Sequence, residues 1–468
     1  MTIVSAGPPV PASVLTPRGD RAAAERLARS AAARDGSWLR TEDFAEWLEG
    51  RRRAHHFGVE RIPFAELDGW SFDGSTGNLV HRSGRFFSVE GVRVTRDSGP
   101  HREWSQPIIR QPEVGILGLL VKEFDGVLHF LMQAKMEPGN ANLLQLSPTV
   151  QATRSNYTKV HRGADVKYIE YFTEPGRRRV IADSLQSEHG AWFFHKSNRN
   201  MIVEALDEVP DDPDFIWLTL GQIGELLRRD NVVNMDTRTV LACAPLPQRE
   251  ESALHSDTDV VSWFTAERAR HGVRAERLPL AEVRGWQGDT MSLAHEEDRY
   301  FRVMAVRVEA GNREVTGWTQ PMFEPCGLGV AAFVTRTFDG VPHVLMEARV
   351  EAGLLDTLEL APTVMHTPGN YAGRADGYRP PFLDMVLDLD PSRIRYEAVH
   401  SEEGGRFLNA ESRYLIVEAD EREAPSQAPP GYCWITRDQL NVLVRHGHYL
   451  NVQARTLLVC LNSLEAAA

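Results

Sequence analysis

GILGLLVKEFDGVLHFLMQA, residues 115–134, is two apolar, β-rich runs on either side of an Asp-Gly pair. Asp125-Gly126 is a preferred two-residue hairpin turn, because both central positions need positive φ and glycine adopts it without steric cost. The stretch therefore predicts two antiparallel strands joined by a tight turn. GVAAFVTRTFDGVPHVLMEA, residues 329–348, has the same form around Asp339-Gly340. One hairpin written twice in a chain points to duplication of a whole domain.

The likeness extends outward on both sides. GVERIPFAELDGW, ending at Trp70, matches GVRAERLPLAEVRGW, ending at Trp286. RFFSVEGVRV (85–94) matches RYFRVMAVRV (299–308), and EWSQPI (103–108) matches GWTQPM (317–322). Downstream, LQLSPTVQATRSNYTKVHRG (144–163) matches LELAPTVMHTPGNYAGRADG (358–377). LQSEHGAWFFHKSNRNMIVEAL (185–206) matches VHSEEGGRFLNAESRYLIVEAD (399–420). Each copy then has a capping box, Thr219-x-x-Gln222 and Thr436-x-x-Gln439, that opens a helix. Each helix leads to an asparagine (Asn234, Asn451) and an Arg-Thr-[VL]-L segment that reads as a strand.

The expected fold is α+β: two tandem modules, each a mixed, largely antiparallel sheet with helices. Residues 1–20 read as a disordered leader, 21–244 as the first module, 245–259 as a linker and 260–468 as the second module. Helices are expected at 21–35 and 42–55.

Composition narrows the function. The chain has 468 residues and a net charge of −13, which argues against a sequence-independent grip on nucleic acid. No apolar run approaches the roughly 18–20 residues a membrane helix needs. The N-terminus lacks the basic and apolar regions of a signal peptide, so a cytoplasmic location is expected. The four cysteines show no metal-ligand spacing, and Cys243 and Cys460 sit in matching apolar runs as structural thiols. No P-loop and no dinucleotide glycine fingerprint is present.

Chemistry concentrates in residues 144–163. The turn through Thr149, Val150, Gln151, Ala152 and Thr153 offers backbone N–H groups and hydroxyls for phosphate or sugar oxygens. Arg110, Arg154, Arg162 and Arg199 are candidates for neutralising a diphosphate. Tyr157, Lys159 and His161 alternate, which on a strand puts all three on one face. Imidazole suits proton abstraction next to a carbonyl, and phenol or ammonium suits the developing enolate oxygen. Tyr157 persists in the second copy as Tyr371, whereas Lys159 and His161 face Gly373 and Ala375. Only five of the 52 cations are lysines, all in the first copy, and Lys135 is matched by Arg349. Glu188 persists as Glu402 and is an alternative base; His189 and His195 have weaker context. Trp70 and Trp286 are either sheet-packing indoles or platforms for a nucleobase.

These segments, with RPPFLD, SEEGGRF and RYLIVEAD, resemble the NDP-hexose 2,3-dehydratases over essentially the whole chain after about residue 40. The resemblance implies two Nudix-hydrolase-like modules, a homodimer, and a dTDP-4-keto-6-deoxy-D-glucose substrate. It implies two nucleotide-sugar pockets. One is lined by Trp70, Thr149–Thr153, Asn156, Ser187 and Arg199. The other, an ancillary one, is lined by Trp286, Arg349, Thr363, Asn370, Tyr371, Glu402 and Arg413. The Nudix signature helix is absent, which removes the carboxylates that would hold Mg²⁺. The implied reaction needs no cofactor or metal. A base takes the C3 proton made acidic by the C4 ketone, and the C2 hydroxyl leaves as water. The enol tautomerises to a 3,4-diketo sugar for a separate 3-ketoreductase. His161, Tyr157, Lys159 and Glu188 in the first module are the expected catalytic groups. The rival readings are a non-catalytic nucleotide-sugar scaffold and a nucleotide diphosphate hydrolase.

Overall fold

The computed structural model describes residues 21–97, 102–153, 166–249, 252–311, 315–373 and 377–465. Both hairpins form as the sequence predicts. Strands Gly115–Phe124 and Val127–Met136 pair across Asp125-Gly126, whose φ values are +50° and +78°. Strands Gly329–Phe338 and Val341–Val350 pair across Asp339-Gly340 in the same way.

Each hairpin is the centre of a seven-stranded sheet, and the two sheets have the same strand order. In the first, Gly115–Phe124 also lies parallel to Ser197–Ala205, which pairs antiparallel with Arg178–Ser187. In the second, Glu411–Glu418 and Ile394–Ser401 take those places. The sheets are thus mixed and largely antiparallel, in an α+β protein. Both faces are covered, so the central strands are apolar almost throughout. One face of each sheet contributes to a shared core, where Leu119, Met132 and Ile202 join Phe333, Met346 and Ile416 around the C-terminal helices of both repeats. The outer faces are closed locally, by Tyr171 and Phe172 on one sheet and by Leu383 and Val386 on the other.

Two smaller five-stranded sheets cross the sequence repeat. Phe57–Ile62 pairs with Phe301–Ala310, and Val273–Leu278 pairs with Ser88–Arg96. Each repeat thereby lends its first strand to the other.

The segments after Asn234 and Asn451 are helices, Met235–Ala242 and Val452–Glu465, where strands were expected. The asparagines are N-caps: Asn234 Oδ1 accepts from the Thr237 N–H at 2.9 Å, and Asn451 Oδ1 from the Ala454 N–H at 3.0 Å. Both expected capping boxes are present, and so are the N-terminal helices Arg21–Ala32 and Phe44–Ala54. No helix of the described residues is long and apolar enough to cross a membrane.

Candidate functional site

A cavity of about 850 Å³ opens between the small sheet around Ser88–Arg96 and the large sheet of the second repeat. Its size falls in the range of small-molecule sites. Arg93, Arg96 and Trp104 come from the first repeat, and Arg284, Trp286 and Tyr300 from the second. Arg96 lies over the Trp104 ring at 5.7 Å. The Trp286 indole N–H donates to the Ser105 carbonyl at 3.2 Å, which fixes the ring edge.

The floor carries ionisable groups. Arg349, Glu351, His366, Tyr371 and Glu402 come from the second repeat, while His189 and Trp192 come from the first. His366 Nδ1 lies 2.7 Å from the Tyr371 hydroxyl. Burial, aided by Arg349, holds this imidazole well below its usual pKa, so it is neutral at pH 7. Burial also raises Glu351 and Tyr371, with Arg349 opposing in each. His189 behaves oppositely. Burial disfavours its charged form, but Glu188 and Glu402 outweigh that and raise it to about 9. Its Nε2 is 2.9 Å from Glu402 Oε2, and its Nδ1 is 3.6 Å from Glu188 Oε2. Glu402 Oε1 also accepts from the Ser412 and Tyr414 hydroxyls, each at 2.9 Å.

The internal repeat sets a second group of residues in equivalent places: Glu137 for Glu351, Lys135 for Arg349, Glu188 for Glu402, Glu403 for His189, Asp236 for Gln453 and Arg406 for Trp192. Lys135 Nζ is 3.4 Å from Glu137 Oε1, which also accepts from Gln151 Nε2 at 2.9 Å. Glu188 Oε1 accepts from Asn198 Nδ2 at 2.6 Å. Burial would raise Glu188, but His189, Arg455 and Lys196 lower it. Asp236 and Glu403 go the other way. Burial, with neighbouring carboxylates, raises Asp236 well above its ordinary value. Burial raises Glu403 to about 7, Glu137 and Glu188 adding to it and Arg406 opposing.

The expected site residues fall into four groups. Trp286, Arg349, Asn370, Tyr371 and Glu402 line the cavity. Asn370 Oδ1 accepts from the Tyr300 N–H at 3.0 Å. Glu188, Ser187 and Gln151 belong to buried networks, Ser187 Oγ donating to Glu359 Oε2 at 2.6 Å. Others serve the scaffold. Thr149 and Thr363 give their hydroxyls to the Leu131 and Leu345 carbonyls and accept from the Leu120 and Val334 N–H groups. Val150 and Ala152 are buried in the strand Val150–Ala152, with Thr153 next along the chain. Trp70 is packed against Phe87, and its indole N–H donates to the Thr319 carbonyl. Arg199 and Arg413 form equivalent ion pairs with Asp183 and Glu397 and do not line the cavity. Finally, Arg154, Asn156, Tyr157, Lys159, His161 and Arg162 lie outside the described residues.

Comparing the copies for what the first retains could not find His366, which stands opposite Ala152, or Asp236, which stands opposite Gln453. Glu351 and Trp192 were missed too. Among the described residues no three His, Cys, Asp or Glu side chains gather to hold a metal ion.

A duplicated mixed sheet carries a floor of imidazole, phenol and carboxyl groups below arginines and indoles, a set of side chains equipped for acid–base chemistry. The chain belongs to the NDP-hexose 2,3-dehydratase family, whose model matches residues 41–244 and again 257–461. It is 60% identical over 459 residues to a dTDP-4-dehydro-6-deoxy-alpha-D-glucopyranose 2,3-dehydratase of Amycolatopsis orientalis, covering 97% of each chain. Enzymes of the same description from Saccharopolyspora spinosa and Streptomyces violaceoruber are 50% and 49% identical. Those alignments cover 94% and 91% of this chain, and 95% and 97% of the relatives.

Proposed function

We propose that this chain is a lyase that removes water across C2–C3 of dTDP-4-keto-6-deoxy-D-glucose in deoxysugar biosynthesis. The product is a 3,4-diketo-2,6-dideoxy sugar nucleotide. The observation that carries this reading is the family match along both repeats. The cavity supports it: indole faces suit a thymine, the arginines Arg93, Arg96 and Arg284 suit a diphosphate, and the floor can move protons.

The finer assignments are proposals resting on the resemblance. The two large sheets are Nudix-like modules spanning 21–244 and 260–468, and the enzyme is a cytoplasmic homodimer whose product passes to a 3-ketoreductase. The described cavity is the ancillary nucleotide-sugar pocket. The first repeat carries the chemistry, through His161, Tyr157, Lys159 and Glu188. The acids equivalent to the cavity floor support this, since burial shifts Asp236 and Glu403 toward the protonated form that a dehydration can use. His366 beside Tyr371 favours a second reading, with catalysis in the described cavity.

Purified protein incubated with the keto-sugar in D₂O should lose the C2 hydroxyl and exchange hydrogen at C3. Neither event with properly folded protein would sink the dehydratase reading. His161→Ala should lose turnover by ~100-fold or more, and His366→Ala should stay within ~10-fold of wild type. The reverse pattern moves catalysis to the second repeat.

A further inference from the structure

Asp236 is 3% exposed, and among the described residues no hydrogen bond holds its side chain. A buried carboxyl without a partner is costly, and it persists where something else satisfies it. The surroundings make the ionised form worse still. Glu137, Glu188 and Glu403 all push against a negative charge on Asp236, and Lys135 alone among the main influences favours it. The protonated form is therefore the favoured one.

Its place in the repeat points to what this carboxyl serves. Asp236 is the second residue of the helix Met235–Ala242, capped by Asn234. In the second repeat Gln453 holds that place in the helix Val452–Glu465, and Gln453 lines the cavity. The neighbours correspond as well. Glu351, Arg349 and Glu402 line the cavity around Gln453, and Glu137, Lys135 and Glu188 are their equivalents. Glu403, the equivalent of His189, is lent by the second repeat. Its Oε1 accepts from the Gly405 N–H at 3.0 Å, and its Oε2 is buried without a hydrogen bond. Where the second repeat has a neutral amide and an imidazole, the first has two carboxyls.

We propose that Asp236 is the catalytic acid of the first-repeat site, delivering its proton to the C2 hydroxyl as that group leaves. This rests on the dehydratase reading and adds the proton donor. Removal of the C3 proton puts an electron pair into the C3–C4 bond and charge on the C4 oxygen. The pair then forms the C2–C3 double bond while the C2–O bond breaks. The leaving oxygen takes the Asp236 proton and departs as water, and Asp236 remains as a carboxylate. The proton taken from C3 returns to the site or solvent and restores Asp236. One proton and one hydroxide leave the sugar, and no oxidant or reductant takes part. Glu403 and Glu137 are positioning residues that keep the proton on Asp236.

The test separates the two halves of the reaction. With Asp236→Asn, dehydration of the keto-sugar should fall by ~100-fold or more, the usual worth of a general acid. C3 hydrogen exchange in D₂O should remain within ~10-fold of wild type, because the enolate still forms and returns. dTDP binding, by calorimetry, should be unchanged. Asp236→Glu should recover dehydration above the Asn variant. If Asn does not fold, Asp236→Gln installs the side chain that the same helix position carries in the second repeat, with the same expectations. Dehydration within ~10-fold of wild type in a folded amide variant overturns the proposal. So does loss of exchange together with dehydration while dTDP binding holds. Failure of the wild-type protein to dehydrate or exchange would instead refute the dehydratase reading.

Discussion

His189 stands between two carboxylates, Glu188 and Glu402, and is 4% exposed. Its position shows how a buried ionic group links stability to pH. Its folded pKa of about 9 lies above the ordinary 6.5. A raised value means that its contribution is whole below pH 6.5 and fades as pH rises through about 9. Lys196, lowered by burial to about 8, titrates with the opposite sign from there up to 10.5, so the readout must be a difference between proteins. Urea midpoints at pH 6.5 and pH 9 should fall more for wild type than for His189→Gln. Equal slopes would show that the imidazole is not charged in the fold. At this scale the sequence was partly legible. Glu188 and Glu402 stood out because both copies keep Ser-Glu-x-Gly. His189 did not, because its partner Glu402 is 213 residues away and meets it only through tertiary packing.

Secondary structure followed local chemistry wherever a turn or a cap was legible, and departed from the sequence reading after Asn234 and Asn451, where the expected strands are helices. The sequence reads the Arg-Thr-[VL]-L segments after Asn234 and Asn451 as strands, whereas these asparagines cap helices. They are starts, and the apolar residues after them pack into the core between the two large sheets. Removing the cap should cost stability in proportion to what it holds. Asn234→Ala should lose ~0.5–2 kcal/mol in urea unfolding. Asn451→Ala should lose more, because Asn451 Nδ2 also donates to buried Glu351 at 3.0 Å and would leave that carboxyl short of a donor. Equal losses would mean that the Glu351 contact contributes nothing.

The two repeats are tied together as one body by reciprocal contacts. Gly139 N–H donates to the Gly404 carbonyl and Gly353 N–H to the Gly190 carbonyl, both at 2.7 Å. A Cβ at Gly139 would lie 1.7 Å from the Phe407 oxygen, and one at Gly353 would lie 1.7 Å from the Phe193 oxygen. Buried Arg238 donates to the Ser401 carbonyl and to Thr456 across the junction, and buried Arg455 donates to the Ser187 carbonyl and to Thr239. With the exchanged strands, these contacts bring His189 to the second repeat's cavity and Glu403 to its equivalent place in the first. Gly139→Ala should therefore destabilise by ~1–3 kcal/mol or more and slow dehydration with it. Gly50→Ala, in open space on a helix, should not destabilise. Identical melting of the two variants would contradict the tight junction.

The sequence alone determined the duplication, the central hairpins, the capping boxes and the family. Each of these is written in adjacent residues or in a repeat, so pattern and turn chemistry suffice. Tertiary structure decided the exchange of first strands, the helices after Asn234 and Asn451, and the pairing of each repeat's acids with a side chain from the other. Those depend on which faces meet across hundreds of residues. Burial, which shifts Asp236, Glu403 and His366, and the carboxylate pair that raises His189 against it, exist only once the faces have met.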